Sequence, residues 1–101
     1  MARKPETLFV ERARYKIELI PNSWFEKIQQ KTIHGTPDFI GCINGLFVAL
    51  EFKVGKNVAD PLQEHKIKKI LACNGRAYVV YPENFNEVYQ ELLKISQLSL
   101  Q

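Results

Sequence analysis

From Pro5 to Ile20 apolar residues recur at helical spacing: Phe9, Ala13, Ile17 and Ile20, with Val10 alongside. The segment predicts a helix. Pro5 suits a first-turn position, and Glu6 favours the positive end of the helix dipole. Arg12, Arg14 and Lys16 fall toward the other side. Pro21-Asn22-Ser23 ends the helix. Trp24 to Gln30 predicts a strand with imperfect alternation, and 31–36 a loop. Pro37 to Lys53 is different in kind, because two apolar arms flank Asn44-Gly45. That dipeptide is a strong signal for a type I′ hairpin turn, which needs positive φ at both central residues. After a loop over 54–59, Asp60-Pro61 opens a second helix with a cap and a first-turn proline. Ile67, Ile70, Leu71 and Cys73 supply its apolar side, and Asn74-Gly75 is a left-handed stop. Arg76 to Tyr81 is a run of β-formers ended by Pro82. Asn84 to Ile95 predicts a last helix, with Phe85, Val88, Tyr89, Leu92 and Leu93 on one stripe. The tail, Ser96 to Gln101, is expected to fray.

The predicted order is helix, three strands, helix, strand, helix. A single crossover helix between the third and fourth strands implies a parallel pair, so the fold class is α/β, a mixed sheet flanked by helices. The 101 residues suffice for one domain over 1–101 with one core. A net charge of +3 permits a polyanionic partner without demanding one. Cys42 and Cys73 sit in apolar runs without metal-ligand spacing and are expected as buried free thiols of a reducing compartment. No signal-peptide core follows Met1, and no apolar run approaches the ~20 residues of a membrane span. These features point to a cytoplasmic protein.

The hairpin turn fixes a register by counting. Ile43 pairs with Leu46, Cys42 with Phe47, Gly41 with Val48, Ile40 with Ala49, Phe39 with Leu50, and Asp38 with Glu51. Two carboxylates directly opposite each other have Cβ atoms about 5 Å apart, which is destabilising without compensation. A divalent cation with oxygen ligands is the natural compensation. Lys53 lies two residues past Glu51 and shares its face. Both faces of the hairpin are apolar elsewhere, so burial on both sides is expected, and buried acids are costly unless paired or metal-bound. A plainer account makes Asp38 a strand-start residue and Glu51–Lys53 an ion pair at a strand end. Gln63 has two readings. It sits where a capping box with Asp60 would close, and it heads the inward row Gln63, Ile67, Ile70. His65 has no partner at ligand spacing, and His34 is a loop residue. No Walker loop, nucleophilic triad or zinc cluster is present.

Gly35-Thr-Pro-Asp38, the Asn44-Gly45 hairpin, Glu51-Phe-Lys53, Gln63 in the next helix and the Gly75-Arg-Ala-Tyr-Val-Val strand together resemble the PD-(D/E)XK nuclease core. Within that superfamily, with its restriction-endonuclease-like core, the chain looks like the small standalone VRR-NUC proteins of phage and bacterial genomes. The resemblance covers nearly the whole chain. It implies a divalent-metal-dependent endonuclease, similar to Holliday-junction resolvases that act on branched DNA as homodimers, in a bacterial or phage-infected cell. Asp38, Glu51 and the backbone carbonyl of Phe52 would hold Mg²⁺ or Mn²⁺. Lys53 would hold the attacking water or neutralise transition-state charge. Gln63 would lie beside the site. The family's first-helix acid falls on Glu6 or Glu11, and Glu6-x-x-Phe9 fits the pattern better. Beside the resemblance, Lys27 in the first strand is a candidate to face the DNA phosphate, with a solvated strand charge as the plainer account, and Lys56, Lys66, Lys68 and Lys69 are candidates for a phosphate-contacting patch, although such lysines commonly form just a solvated face. The alternatives are a flap or single-strand nuclease of the same fold and a nucleic-acid-binding module without turnover.

Overall fold

Among the described residues the computed structural model has seven elements: α1 (Pro5–Glu18), β1 (Ser23–Lys27), β2 (Phe39–Ile43), β3 (Leu46–Phe52), α2 (Pro61–Ala72), β4 (Arg76–Val80) and α3 (Phe85–Gln97). The structure describes residues 4–29, 35–56, 58 and 60–98, with the side chain of Glu6 left out. The strands form one sheet in the order β1-β2-β3-β4. β1–β2 and β2–β3 are antiparallel, and β3–β4 is parallel, joined through α2. The architecture is the α/β order read from the pattern.

The hairpin has the counted register, from Phe39 opposite Leu50 to Ile43 opposite Leu46. Asn44 at φ 53° and Gly45 at φ 87° make the turn, so both central residues have the positive φ that a type I′ turn needs. The Asn44 side chain does more than the turn requires. Its amide donates to the carbonyls of Ile95 and Leu98, and the Asn22 amide donates to that of Ser96. These bonds satisfy carbonyls at the end of α3 that a helix leaves open. They explain why α3 continues to Gln97 and why Ser96 is buried, where fraying was expected from Ser96 onward. Residues 99–101 lie outside the described residues.

The core lies between the sheet and the α1/α3 layer. Ala13, Ile17 and Ile20 pack with Phe25, Phe39, Ile43, Val48, Leu50, Phe52 and Val80, and with Val88, Leu92 and Ile95. Phe9 meets Phe52 and Phe85 edge-on at ring-centroid distances of 6.0 and 6.2 Å. The opposite face departs from expectation. α2 has no buried residue; it contacts β4, and Ile67 and Gln63 lie near Ala49 and Glu51. Trp24, Cys42 and Phe47, paired across β1, β2 and β3, remain exposed, Trp24 at 58% and Phe47 at 43%. The hairpin is therefore buried on one side and only partly on the other, because one helix is too narrow to cover four strands. Cys42 is an exposed free thiol for the same reason; Cys73 and Leu71, expected to be buried, are exposed at the end of α2, which has no buried residue.

Element ends shift by a few residues. α1 stops at Glu18, and Ile20 closes a tighter last turn on the Ile17 carbonyl. β1 ends at Lys27, short of the expected Gln30, although the Ile28 amide still donates to the Asp38 carbonyl. α2 ends in a Schellman pattern. Asn74, at φ 69°, donates to Leu71, and Gly75 donates to Ile70. Among the described residues no helix is long and apolar enough to cross a membrane.

Candidate active site

The hairpin carries Asp38 and Glu51 to one end of the sheet, where its arms part. Continuing the register by one residue puts them opposite each other, and both line a cleft of about 460 Å³. Phe52, Lys53, Val54 and Lys27 line it as well, and its remaining wall is α1: Thr7, Val10, Glu11 and Arg14. Asp38 accepts a hydrogen bond on Oδ2 from the Phe52 amide at 3.3 Å, which ties the start of β2 to the end of β3.

Glu51 is only 6% exposed. Its Oε1 accepts from Gln63 Nε2 at 2.8 Å and lies 3.8 Å from Lys53 Nζ. Its Oε2 is buried without a hydrogen-bond partner among the described residues. Burial, and then the neighbouring Asp38 carboxylate, push the Glu51 carboxyl up to about 7, with Lys53 acting against them. A buried oxygen without a donor, beside a second carboxylate, is an arrangement a cation relieves.

Gln63 fulfils both of its readings at once. Its amide N–H donates to Asp60 Oδ1 at 2.9 Å, and its Oε1 accepts from the Asp60 amide at 3.1 Å. That is a complete capping box. With its acceptor used on the cap, the side-chain amide is left to donate to Glu51. Gly35 adds a second restraint on the same turn. At φ +82°, a Cβ there would meet the Leu62 carbonyl oxygen at 2.9 Å, so the loop before Asp38 packs directly on the first turn of α2.

The structure sorts the remaining expectations. Lys27 reaches the cleft; Lys56, Lys66 and Lys69 do not line it, and Lys69 borders the far end of α2 near Phe47. His65 is exposed, and His34 lies outside the described residues. The Glu6 side chain is also outside them, whereas Glu11, the other candidate for the first-helix acid, lines the cleft. The spacing along α1 puts Arg14 toward the side away from the apolar stripe. It is instead half-buried at the cleft, with its guanidinium 5.1 Å from the Phe39 ring centroid. One signal was present in the sequence: Thr7, Val10, Glu11 and Arg14 share helical spacing, so one α1 stripe faces the site. It was masked by the stronger apolar stripe beside it.

Among the described residues no group of three or more His, Cys, Asp or Glu converges as a metal cage. Two carboxylates with backbone carbonyl and water oxygens suit a hard cation such as Mg²⁺, which keeps several waters. They do not suit zinc, which prefers nitrogen and sulfur ligands. An α/β fold with an acidic pair and a lysine at the open end of a hairpin is thus the class of site this chain defines. No protein-family model, curated protein or solved structure matches the chain.

Proposed function

We propose that this chain is a Mg²⁺- or Mn²⁺-dependent endonuclease of the PD-(D/E)XK type, of the VRR-NUC kind, that hydrolyses DNA phosphodiester bonds. The observation that carries the reading is Glu51: a buried carboxyl with a free oxygen, opposite Asp38 and 3.8 Å from Lys53, at the wall of an open cleft. Asp38, Glu51 and the Phe52 carbonyl would hold the metal. When bound, such an ion lowers the pKa of water and polarises a phosphoryl oxygen. Lys53, one-fifth exposed, is positioned to orient the attacking water or to neutralise charge on the phosphoryl oxygens. Gln63 holds the Glu51 carboxylate in one orientation from a capped helix, so little reorganisation is needed at the reacting centre. Lys27 offers a cation for the DNA backbone.

The preferred substrate in this reading is branched DNA, cut by a homodimer as in Holliday-junction resolvases. The test compares wild type and Lys53→Ala on labelled four-way junction and linear duplex, with Mg²⁺ and with EDTA. Expected is metal-dependent cutting of the junction in preference to the duplex, reduced at least a hundredfold by the substitution. Cutting of flaps or single strands alone would move the reading to another nuclease of this fold. Binding without cutting in any divalent metal would make the chain a nucleic-acid-binding module.

A further inference from the structure

The catalytic proposal uses the hairpin wall of the cleft and leaves the α1 wall without a role. That wall presents Thr7, Val10, Glu11 and Arg14. Arg14 is the cation among them, and its surroundings are unusual for a surface arginine. Its guanidinium carbon lies 5.1 Å from the centroid of Phe39, a ring with no solvent exposure, next in sequence to Asp38. One Nη lies 3.7 Å from Glu18, one turn further along α1, a long and partly exposed ion pair worth little. Its Nε is buried and makes no hydrogen bond among the described residues.

A buried guanidinium N–H without an acceptor has lost its water and gained no bond in exchange, which is a net cost to the fold. A purely structural arginine, stacked on Phe39 and paired with Glu18, accounts for the stem and one Nη but leaves that cost standing. An oxyanion in the cleft removes it. A modest rotation of the guanidinium from Glu18 toward the cleft would present Nε and Nη side by side, the fork that matches two phosphate oxygens. Lys27, the register partner of Phe39 in β1, lines the same cleft. The two cations thus bracket Phe39 beside the acidic pair. A DNA strand bearing a phosphate at Asp38 and Glu51 must pass another phosphate nearby, and this is where positive charge is available to meet it.

We propose that Arg14 is a DNA-phosphate-binding residue: its guanidinium fork, with Lys27 beside it, holds a backbone phosphate of the strand that enters the cleft. The proposal deepens the nuclease reading and rests on it. Its role is binding, so it acts on affinity before it acts on chemistry.

The test measures binding of labelled four-way junction and single-stranded DNA by fluorescence anisotropy in EDTA, across a salt series, for wild type, Arg14→Gln and Arg14→Lys. Thermal melting confirms folding of each. Arg14→Gln is expected to weaken binding about tenfold and to lower the salt slope by about one phosphate contact. Arg14→Lys keeps the charge without the fork and should fall between the two. In Mg²⁺, Arg14→Gln should raise KM more than it lowers kcat. Unchanged affinity and salt slope in a folded Arg14→Gln protein would overturn the proposal, as would a loss confined to kcat. Should Arg14→Gln not fold, wild-type affinity in Arg14→Lys would overturn the role of the fork. Wild-type protein that binds no DNA in EDTA would overturn it too. Binding that depends on Arg14 in a protein that never cuts would sustain Arg14 and remove only the nuclease reading.

Discussion

Glu51 holds a proton at a pH where an ordinary glutamate has lost it, because burial and Asp38 both penalise its charge. Its folded-state value, about 7, lies above the ordinary 4.5. The neutral carboxyl therefore stabilises the metal-free fold fully below about 4.5, and that contribution is lost as pH rises through about 7. Urea unfolding in EDTA should show stability falling by roughly 3 kcal/mol over this window, and Glu51→Gln should flatten the decline. A pH profile indifferent to that substitution would contradict the assignment. A divalent cation held by Glu51, as proposed, would compete with the same proton. Added Mg²⁺ should accordingly raise the melting temperature more at pH 8 than at pH 5.5. Of the residues at this site, Asp38, Glu51 and Lys53 were legible in sequence because a two-residue turn sets the register, and register sets which side chains meet. Arg14 and Glu11 were not, because periodicity along α1 reports which stripe is apolar and not what lies opposite the polar flank.

Elements meet at Gln63. One side chain closes the cap of α2 and also holds Glu51 on β3. Gln63→Ala should destabilise the fold by about 2 kcal/mol, the sum of a lost cap partner and a lost bond to a buried acid, and, if the proposed nuclease reading holds, should slow cutting as well. Asp60→Ala removes the cap alone. It should cost about 1 kcal/mol and leave the cutting rate near wild type. Equal loss of rate in both variants would mean that helix integrity, and not the bond to Glu51, is what Gln63 supplies. Both halves of this role were open from the sequence, since Asp60-x-x-Gln63 is a local pattern. That both are fulfilled together depended on how close α2 comes to β3. The end of α3 shows the reverse case. Its last turn depends on Asn22 and Asn44, about 50 to 75 residues away in the chain, and no local pattern could announce it.

At the scale of the whole molecule, an 11.7 kDa chain has little surface with which to grip a branched duplex alone. A homodimeric resolvase should have twice that mass in light scattering, free and on a four-way junction. A strict monomer in both conditions would favour flap or single-strand cutting. The order of elements, the type I′ hairpin, the parallel β3–β4 pair and the acidic pair at its end were determined by the sequence alone. Each follows from local turn chemistry, hydrophobic period or counting outward from Asn44-Gly45. Tertiary structure decided which side of the sheet stays open, leaving Trp24, Cys42 and Phe47 exposed. It also decided that α1 supplies the other wall of the cleft and that Glu51 is buried deeply enough to keep its proton near neutral pH. These properties depend on how layers stack and how much of each face a neighbour covers, and that information lies in contacts between residues far apart in the chain.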